Sequence, residues 1–459
     1  MKRIFCFVLL FVWLLTACAP SGTEIPATDQ VATKQPPSTR TPVVSATSTS
    51  VQPDALKGVT VQVWHPWFGV EANLFNDMVS EFNSQNQWGI QLVATSQSNY
   101  TALYENVTAA LPTMQRPDLV IALPEQARAW DANTYSVDLT PYLKNPQYGW
   151  SDEQLNDFAP VFLSQDQDGS RRIALPIQRS ARFMLWNKTW ASELGFASPP
   201  ASPEDFREQA CRAHQSMLTD ATPNNDGFGG WLIDTDSMTA LSWLLAFDGG
   251  VLEGNDYRFL TPNNISAFEF IKKLQESGCA WQLTSDSDSF QAFAARHALF
   301  ISADLADFPN ISRAFADANN ADEWVALPFP GETKSILTVY GSSFVILPSS
   351  DKEQLASWLF ISWMLKPEND ARWVQTMGFF PLRTSTMNLL ADYQATHPQW
   401  AEAVKLIPEA QIQPQLASWR NVRVMLSDGF DYMFRMNIPS GQIAAVLAQM
   451  ESTSHDISK

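Results

Sequence analysis

Between residues 59 and 122 strand and helix patterns alternate, and this alternation narrows the fold more than any other feature of the chain. Val59-Thr60-Val61-Gln62-Val63-Trp64 alternates β-branched and polar residues and reads as a strand. His65-Pro66-Trp67-Phe68-Gly69 breaks it into a loop. From Glu71 to Asn83, Leu74, Phe75, Met78, Val79 and Phe82 recur at helical spacing. A strand over Ile90–Ala94, a helix over Thr101–Leu111 and a strand over Asp118–Ala122 follow. Such a succession predicts an α/β fold, a parallel sheet with helices on its faces. Ligands in these sheets sit beyond the carboxyl ends of the strands. That directs attention to the loops at Trp64–Gly69 and Leu123–Gln126.

After residue 175 the pattern restarts. Arg182–Trp186 reads as a strand and Asn187–Leu194 as a helix ended by Gly195. Ser202-Pro203-Glu204-Asp205 opens a helix through Met217 with an N-cap and proline at the first position. Further helices are expected around Trp243–Phe247, Ile265–Ser277, Lys352–Leu365, Arg372–Met377, Trp419–Phe434 and Ser440–Met450, with strands at Ala298–Ile301 and Ser343–Leu347. No fixed-period repeat is present.

A chain of 459 residues predicts at least two domains. With 48 acidic and 30 basic residues its net charge is −18, which argues against nucleic acid, since phosphate binding needs a basic face. Seventeen tryptophans suit either a site that stacks on flat apolar faces or a large core, and both readings stay open here. Two cysteines of the body, Cys211 and Cys279, could form a disulfide in an oxidising compartment or remain free thiols. Neither they nor the five histidines have zinc spacing, and no metal or other cofactor is expected. Asn224-Asn225-Asp226-Gly227 resembles the start of a calcium loop, but Ile233 stands where the closing Glu belongs, so a plain turn is expected. Asp286 and Asp288 read as a solvated loop.

The N-terminus points to export. Met1-Lys2-Arg3 precedes an uncharged apolar run, Ile4–Leu14, too short to span a bilayer. Leu15-Thr16-Ala17-Cys18 then resembles the lipobox of bacterial lipoproteins. The resemblance implies a signal peptide over residues 1–17 and a lipid on the Cys18 thiol, hence an extracytoplasmic protein anchored to the cell membrane. Residues 19–54 hold 18 Ser, Thr or Pro among 36 and no aromatic residue. Such a segment cannot bury enough apolar surface to order itself, and residues 18–56 are read as a tether of about 35 Å.

The body resembles family 1 of the extracellular solute-binding proteins that serve ABC importers, mostly for sugars. Eight segments carry the likeness in order: Val59–Trp67 with its helix to Asn83; Pro117-Asp118-Leu119-Val120; Leu175-Pro176 through Trp186-Asn187-Lys188; Pro199–Phe206; Phe247-Asp248-Gly249-Gly250; Arg296–Ile301; Phe360–Pro367; and Met377-Gly378-Phe379-Phe380-Pro381. Trp186 stands where that family usually has Tyr, and Leu299 where it has Met. The resemblance implies a periplasmic-binding-protein fold of type II: two α/β lobes, a ligand cleft and a hinge. The N-terminal lobe is expected over 57–180 with 340–392, and the C-terminal lobe over 181–339 with 393–459. Crossings are expected near Arg179–Phe183, Leu337–Tyr340 and Leu390–Pro398. The implied partners are a carbohydrate and the permease subunits of an importer, met by a monomer that is not an enzyme.

Sugars need aromatic faces for their C–H surfaces and planar polar groups for their hydroxyls. Trp64 and Trp67 end a strand and could stack on a pyranose or cap the core. Glu125 follows the third strand. By the resemblance, Ser180, Asp304 and Trp419 stand where relatives place cleft residues; the bland alternatives are an N-cap for Asp304 and core packing for Trp419. Arg179 and Arg182 flank Ser180, either in the cleft or paired between lobes. Of Trp231 and Trp243, one is expected in the cleft and one in the core. Tyr340 precedes a strand, and Gly341 could let backbone approach a ligand.

A glycoside hydrolase would need two carboxylates facing one bond, and no motif pairs any two. A ligand sensor would look the same as an import protein in sequence. A phosphorylated polyol such as glycerol 3-phosphate is the other ligand class, since some members of the family bind one.

Overall fold

The computed structural model describes residues 51–283 and 288–458. The described residues all fall within one compact unit. The signal peptide, Cys18, most of the tether and Asp286 lie outside the described residues.

Strand Thr60–His65 lies between two parallel neighbours, Gln91–Ser96 and Leu119–Ala122. Its alternation puts Val61 and Val63 fully in the core. The linking helix Gly69–Gln85 buries Phe75, Met78, Val79 and Phe82 on one stripe. Ser343–Ile346 and Leu175–Pro176 complete this five-stranded sheet in antiparallel sense. The expected loop at Leu123–Gln126 is instead the start of a helix, Pro124–Asp131. Proline sits at its first position, where the missing N–H costs nothing, and Gln126 Oε1 accepts from Leu123 N at 3.1 Å. Its few apolar residues hid that helix from a periodicity reading.

A second, seven-stranded sheet is organised by the long strand Ser180–Asn187. It pairs antiparallel with Phe300–Ala303, Trp324–Leu327 and Leu337–Tyr340. Trp231–Leu232, Ala280–Trp281 and Ala410–Ile412 finish the sheet. The strand expected over Ala298–Ile301 lies two residues further on, at Phe300–Ala303, after Leu299 N and Phe300 N both donate to Gly230 O and interrupt the regular ladder. Asp288, expected in a solvated loop, caps helix Ser289–Ala294 by accepting from Phe290 N at 2.7 Å.

The chain passes from the first sheet to the second between Pro176 and Ser180, and returns between Tyr340 and Ser343. These two passages lie side by side: Ile177 N donates to Ser342 O at 3.0 Å, and Tyr340 pairs with Ser180. Gly341 has φ +155, and a Cβ there would stand 2.1 Å from Gln178 O. The close backbone approach expected at Gly341 is therefore made to the neighbouring passage, at Gln178 and Arg179.

Cys211 and Cys279 form a disulfide across 68 residues of the second lobe. Chain entropy for a loop of that length gives about 4 kcal/mol. Replacing both cysteines by serine is expected to lower unfolding stability by about 2–4 kcal/mol, read from urea melts under non-reducing conditions. An unchanged midpoint would show that the bridge does not form.

In the first lobe Asp370 is buried and accepts from Leu382 N at 2.9 Å and Thr386 Oγ1 at 2.7 Å. Burial pushes its carboxyl up to about 6 despite these bonds. The folded state thus holds a proton that the unfolded chain releases near pH 4. Its contribution to stability is full below that pH and is lost as pH rises towards 6. Asp370→Asn is expected to remove up to about 3 kcal/mol of that decline, seen as a flatter curve of unfolding free energy between pH 4 and 6.

Candidate functional site

The carboxyl ends of the parallel strands in both sheets face the junction of the lobes. From the first lobe, strand Thr60–His65 delivers Trp64 and Trp67, and Gln91–Ser96 leads to helix Tyr100–Ala110. Asn99 caps that helix by accepting from Ala102 N at 2.9 Å, which plants Tyr100 at its first turn. Trp64, Tyr100 and Tyr104 are half-buried together over Leu103, Val107 and Val120. Trp67 is 3% exposed and wedged among His65, Phe75 and Trp373, with ring centroids 5.0–5.6 Å away. Its ring faces are thus taken by the core, and its indole Nε1 is the one polar group it brings to this end of the sheet.

Burial, the largest influence, pushes the Tyr100 phenol up to about 12; Ser342 and Trp67 reach it as hydrogen-bonding neighbours, and Glu71 and Glu125 act on it through charge. Trp67 Nε1, Glu125 Oε2 and Ser342 Oγ are buried there without a well-formed hydrogen bond to any described residue. Polar atoms so buried are costly unless something satisfies them. Burial also raises the Glu125 carboxyl, against the opposing pull of Arg423.

The second lobe contributes a cavity of about 310 Å³ at the ends of strands Trp231–Leu232 and Phe300–Ala303, lined by Arg182, Asp234, Ser302, Asp307 and Phe290 among others. Arg182 forms an ion pair with Asp234 and donates to Thr239 Oγ1 at 2.9 Å. Burial opposes the Arg182 charge, but Asp234, Tyr340 and Asp236 outweigh it and hold the guanidinium protonated. Asp304 accepts from Ala306 N and from the Tyr340 hydroxyl at 3.1 Å, so it is both a cap and part of this acidic rim. Burial first, then Asp304, pushes Asp307 up to about 6. Ser180 Oγ accepts from Leu305 N at 3.3 Å and is buried.

Helix Trp419–Met433 joins the halves. It packs in the second lobe through Trp419, Val422 and Leu426, yet sends two arginines to the first. Arg423 Nε lies 3.2 Å from Glu125 Oε1, and the Arg420 guanidinium sits 4.2 Å over the Tyr104 ring.

Trp64, Trp67, Glu125, Ser180, Arg182, Asp304, Tyr340 and Gly341 therefore lie along the lobe junction. Trp231, Trp243 and Trp419 do not present a face there. All three are fully enclosed in the second lobe's core; Trp231 and Trp243 meet edge to face at 5.7 Å with Phe206 against both, and Trp419 Nε1 donates to Gln413 Oε1 at 2.9 Å. Arg179 is likewise fully buried, paired with Asp166 at 2.6 Å. Sequence reading missed Tyr100, Asp234, Asp307, Ser342, Arg420 and Arg423. Tyr100 alone had a local signal, its place just beyond a strand's carboxyl end.

Two lobes of this topology, hinged by paired crossings over a polar and aromatic cleft, define a type II periplasmic-binding-protein fold. The fold recurs in the sugar-binding protein MalE of Xanthomonas citri, with a TM-score of 0.74 at 18% identity over 87% of this chain and 97% of that one. It recurs in UgpB of Mycobacterium tuberculosis, solved with glycerophosphocholine, with a TM-score of 0.68 at 16% identity over 86% and 98%. In sequence, a binding protein of Brucella abortus is 23% identical over 316 residues, 67% of this chain and 73% of that one. The model for bacterial extracellular solute-binding proteins matches residues 77–406, and the chain belongs to that family.

Arg423 and Glu125 meet across the lobe junction, so their effects on stability are coupled. Arg423→Ala and Glu125→Gln are each expected to destabilise, and the double variant to cost less than the sum by about 1–3 kcal/mol. A double-mutant cycle in urea measures this, and additivity would show that the lobes are apart in the free protein.

Proposed function

We propose that the chain captures a neutral carbohydrate between its lobes and passes it to the permease of an ABC importer, without chemistry of its own. The observation that carries this is the cluster of Tyr100, Trp67, Ser342 and Glu125, where three buried polar atoms stand beside aromatic surface. Indole N–H, hydroxyl and carboxylate are the groups that sugar hydroxyls pair with, and the half-buried rings of Trp64 and Tyr100 suit C–H faces. The acidic groups Glu71, Glu125, Asp234, Asp236, Asp304 and Asp307 outnumber the arginines and disfavour an anion. Arg179 and Arg182, the cations that would have argued for a phosphorylated polyol, are each held by a carboxylate. Arg420 and Arg423 keep that second reading testable.

In this proposal the N-terminal lobe comprises 57–180 with 340–392 and the C-terminal lobe 181–339 with 393–459. Cys18 carries the lipid, the tether holds a monomer near the membrane, and lobe closure is the signal the permease reads.

A thermal-shift panel of neutral mono- and oligosaccharides, with glycerol 3-phosphate (anionic) and glycerophosphocholine (zwitterionic) as the phosphate-bearing arm, tests the reading. A ligand at 100 times its Kd should add roughly 2.7 kcal/mol. The shift should come from a neutral sugar, be lost in Tyr100→Ala, and leave the sugar intact by chromatography. A shift confined to the phosphorylated compounds, or turnover of any compound, would overturn it.

A further inference from the structure

A further cavity, which the cleft does not use, is on the first lobe. Helix Gly69–Gln85 runs back from the cleft end of the sheet, so its last turn lies at the opposite end. There, between that turn, the segment 147–150 and the end of helix Asp351–Met364, is a cavity of about 630 Å³. Its volume falls within the range of small-ligand sites, about 300–1,000 Å³. It shares no residue with the cleft cluster.

The lining has two kinds of group. Trp88, Tyr148, Trp150 and Trp363 are half-buried and offer aromatic surface. Trp150 is held by a stacked Phe158 at 5.4 Å and by Trp358 at 5.3 Å, and Trp363 by Phe82 at 5.6 Å, so their orientations are set by the core. Gly149 makes the turn that carries Tyr148 and Trp150; a Cβ there would lie 2.4 Å from Leu143 O. Among these rings stand the exposed carboxamides of Gln85, Gln87 and Gln147, whose side chains make no hydrogen bond among the described residues. The hydroxyls of Tyr148 and Ser362 are buried in the lining, again with no partner among them. The charge is nearly cancelled: Arg383 is paired with Asp157 at 3.4 Å and also donates to Leu365 O and Gln154 O.

Uncharged donors and acceptors between rigid aromatic surfaces match a ligand with many hydroxyls, flat C–H faces and no charge. We propose that this cavity is a second carbohydrate site, which holds one stretch of a neutral oligosaccharide chain on the outer end of the N-terminal lobe. A charged peptide would find no free counter-ion here except Lys366, and a purely apolar partner would strand the carboxamides. The site stands independently of the cleft's ligand.

The test uses the whole protein with its tryptophans replaced by 5-fluorotryptophan, titrated with maltohexaose, cellohexaose, xylohexaose and mannohexaose. The fluorine resonances of Trp88 and Trp363 are assigned from Trp88→Phe and Trp363→Phe. At least one hexaose should move both resonances, with an affinity about tenfold weaker in Trp88→Ala and unchanged in Tyr100→Ala, which strikes the cleft alone. Because Trp88→Ala removes packing, the exposed pair Gln87→Ala and Gln147→Ala is the second probe and should weaken the same titration. Motionless Trp88 and Trp363 resonances with all four sugars would overturn the proposal. Shifts that follow protein concentration rather than sugar would overturn it too, since they would assign the cavity to a second copy.

Discussion

The Arg179–Asp166 ion pair is the contact on which the two-lobed arrangement depends. Both side chains are fully buried where the two passages between sheets run together. Charges in such a place persist only when paired and hydrogen-bonded. Arg179 donates to Gln178 O and Ser342 O, one on each passage, and also to Phe162 O and Ser343 Oγ. Asp166 in turn accepts from Ser343 Oγ at 2.7 Å. Burial lowers the Arg179 pKa and Asp166 opposes that shift. One guanidinium thus ties both crossings to the first lobe, and Gly341 allows them to approach without a side chain between.

From this fixed axis the cleft is assembled by strand ends. Ser180 and Arg182 leave the axis in one direction, Ser342 in the other, and each meets residues the sheets deliver independently. Arg182 is held by Asp234 and Thr239, which belong to a different strand end and helix. The resulting second-lobe rim is acidic, whereas the first-lobe side is aromatic with one buried carboxylate. The bridging helix closes the two with Arg420 and Arg423, so the same element that packs in one lobe also contacts the other.

Much of the fold was legible because burial and periodicity agree. Phe75, Met78 and Phe82 repeat at helical spacing, and Val61 and Val63 alternate as a half-buried strand must. The helix Pro124–Asp131 was not legible, since it is short and its buried residues include Gln126, Arg128 and Asp131 as well as Trp130. The candidate site was legible only in outline. Position after a strand pointed to Trp64 and Glu125, but it could not separate Trp67's committed ring faces from its buried indole N–H beside Tyr100. Tryptophan as a residue type was a poor guide: Trp231, Trp243 and Trp419 look the same in sequence as ligand platforms, yet lie in the core.

Local patterning by itself determined the α/β class, the restart of the pattern after residue 175 and the family, because these rest on periodicities and motifs a chain carries within short windows. Only the tertiary structure decided which polar groups face one another. Arg423 meets Glu125 and Ser342 meets Tyr100 across separations of hundreds of residues, and their roles come from burial and charge fields that exist only once both lobes are folded.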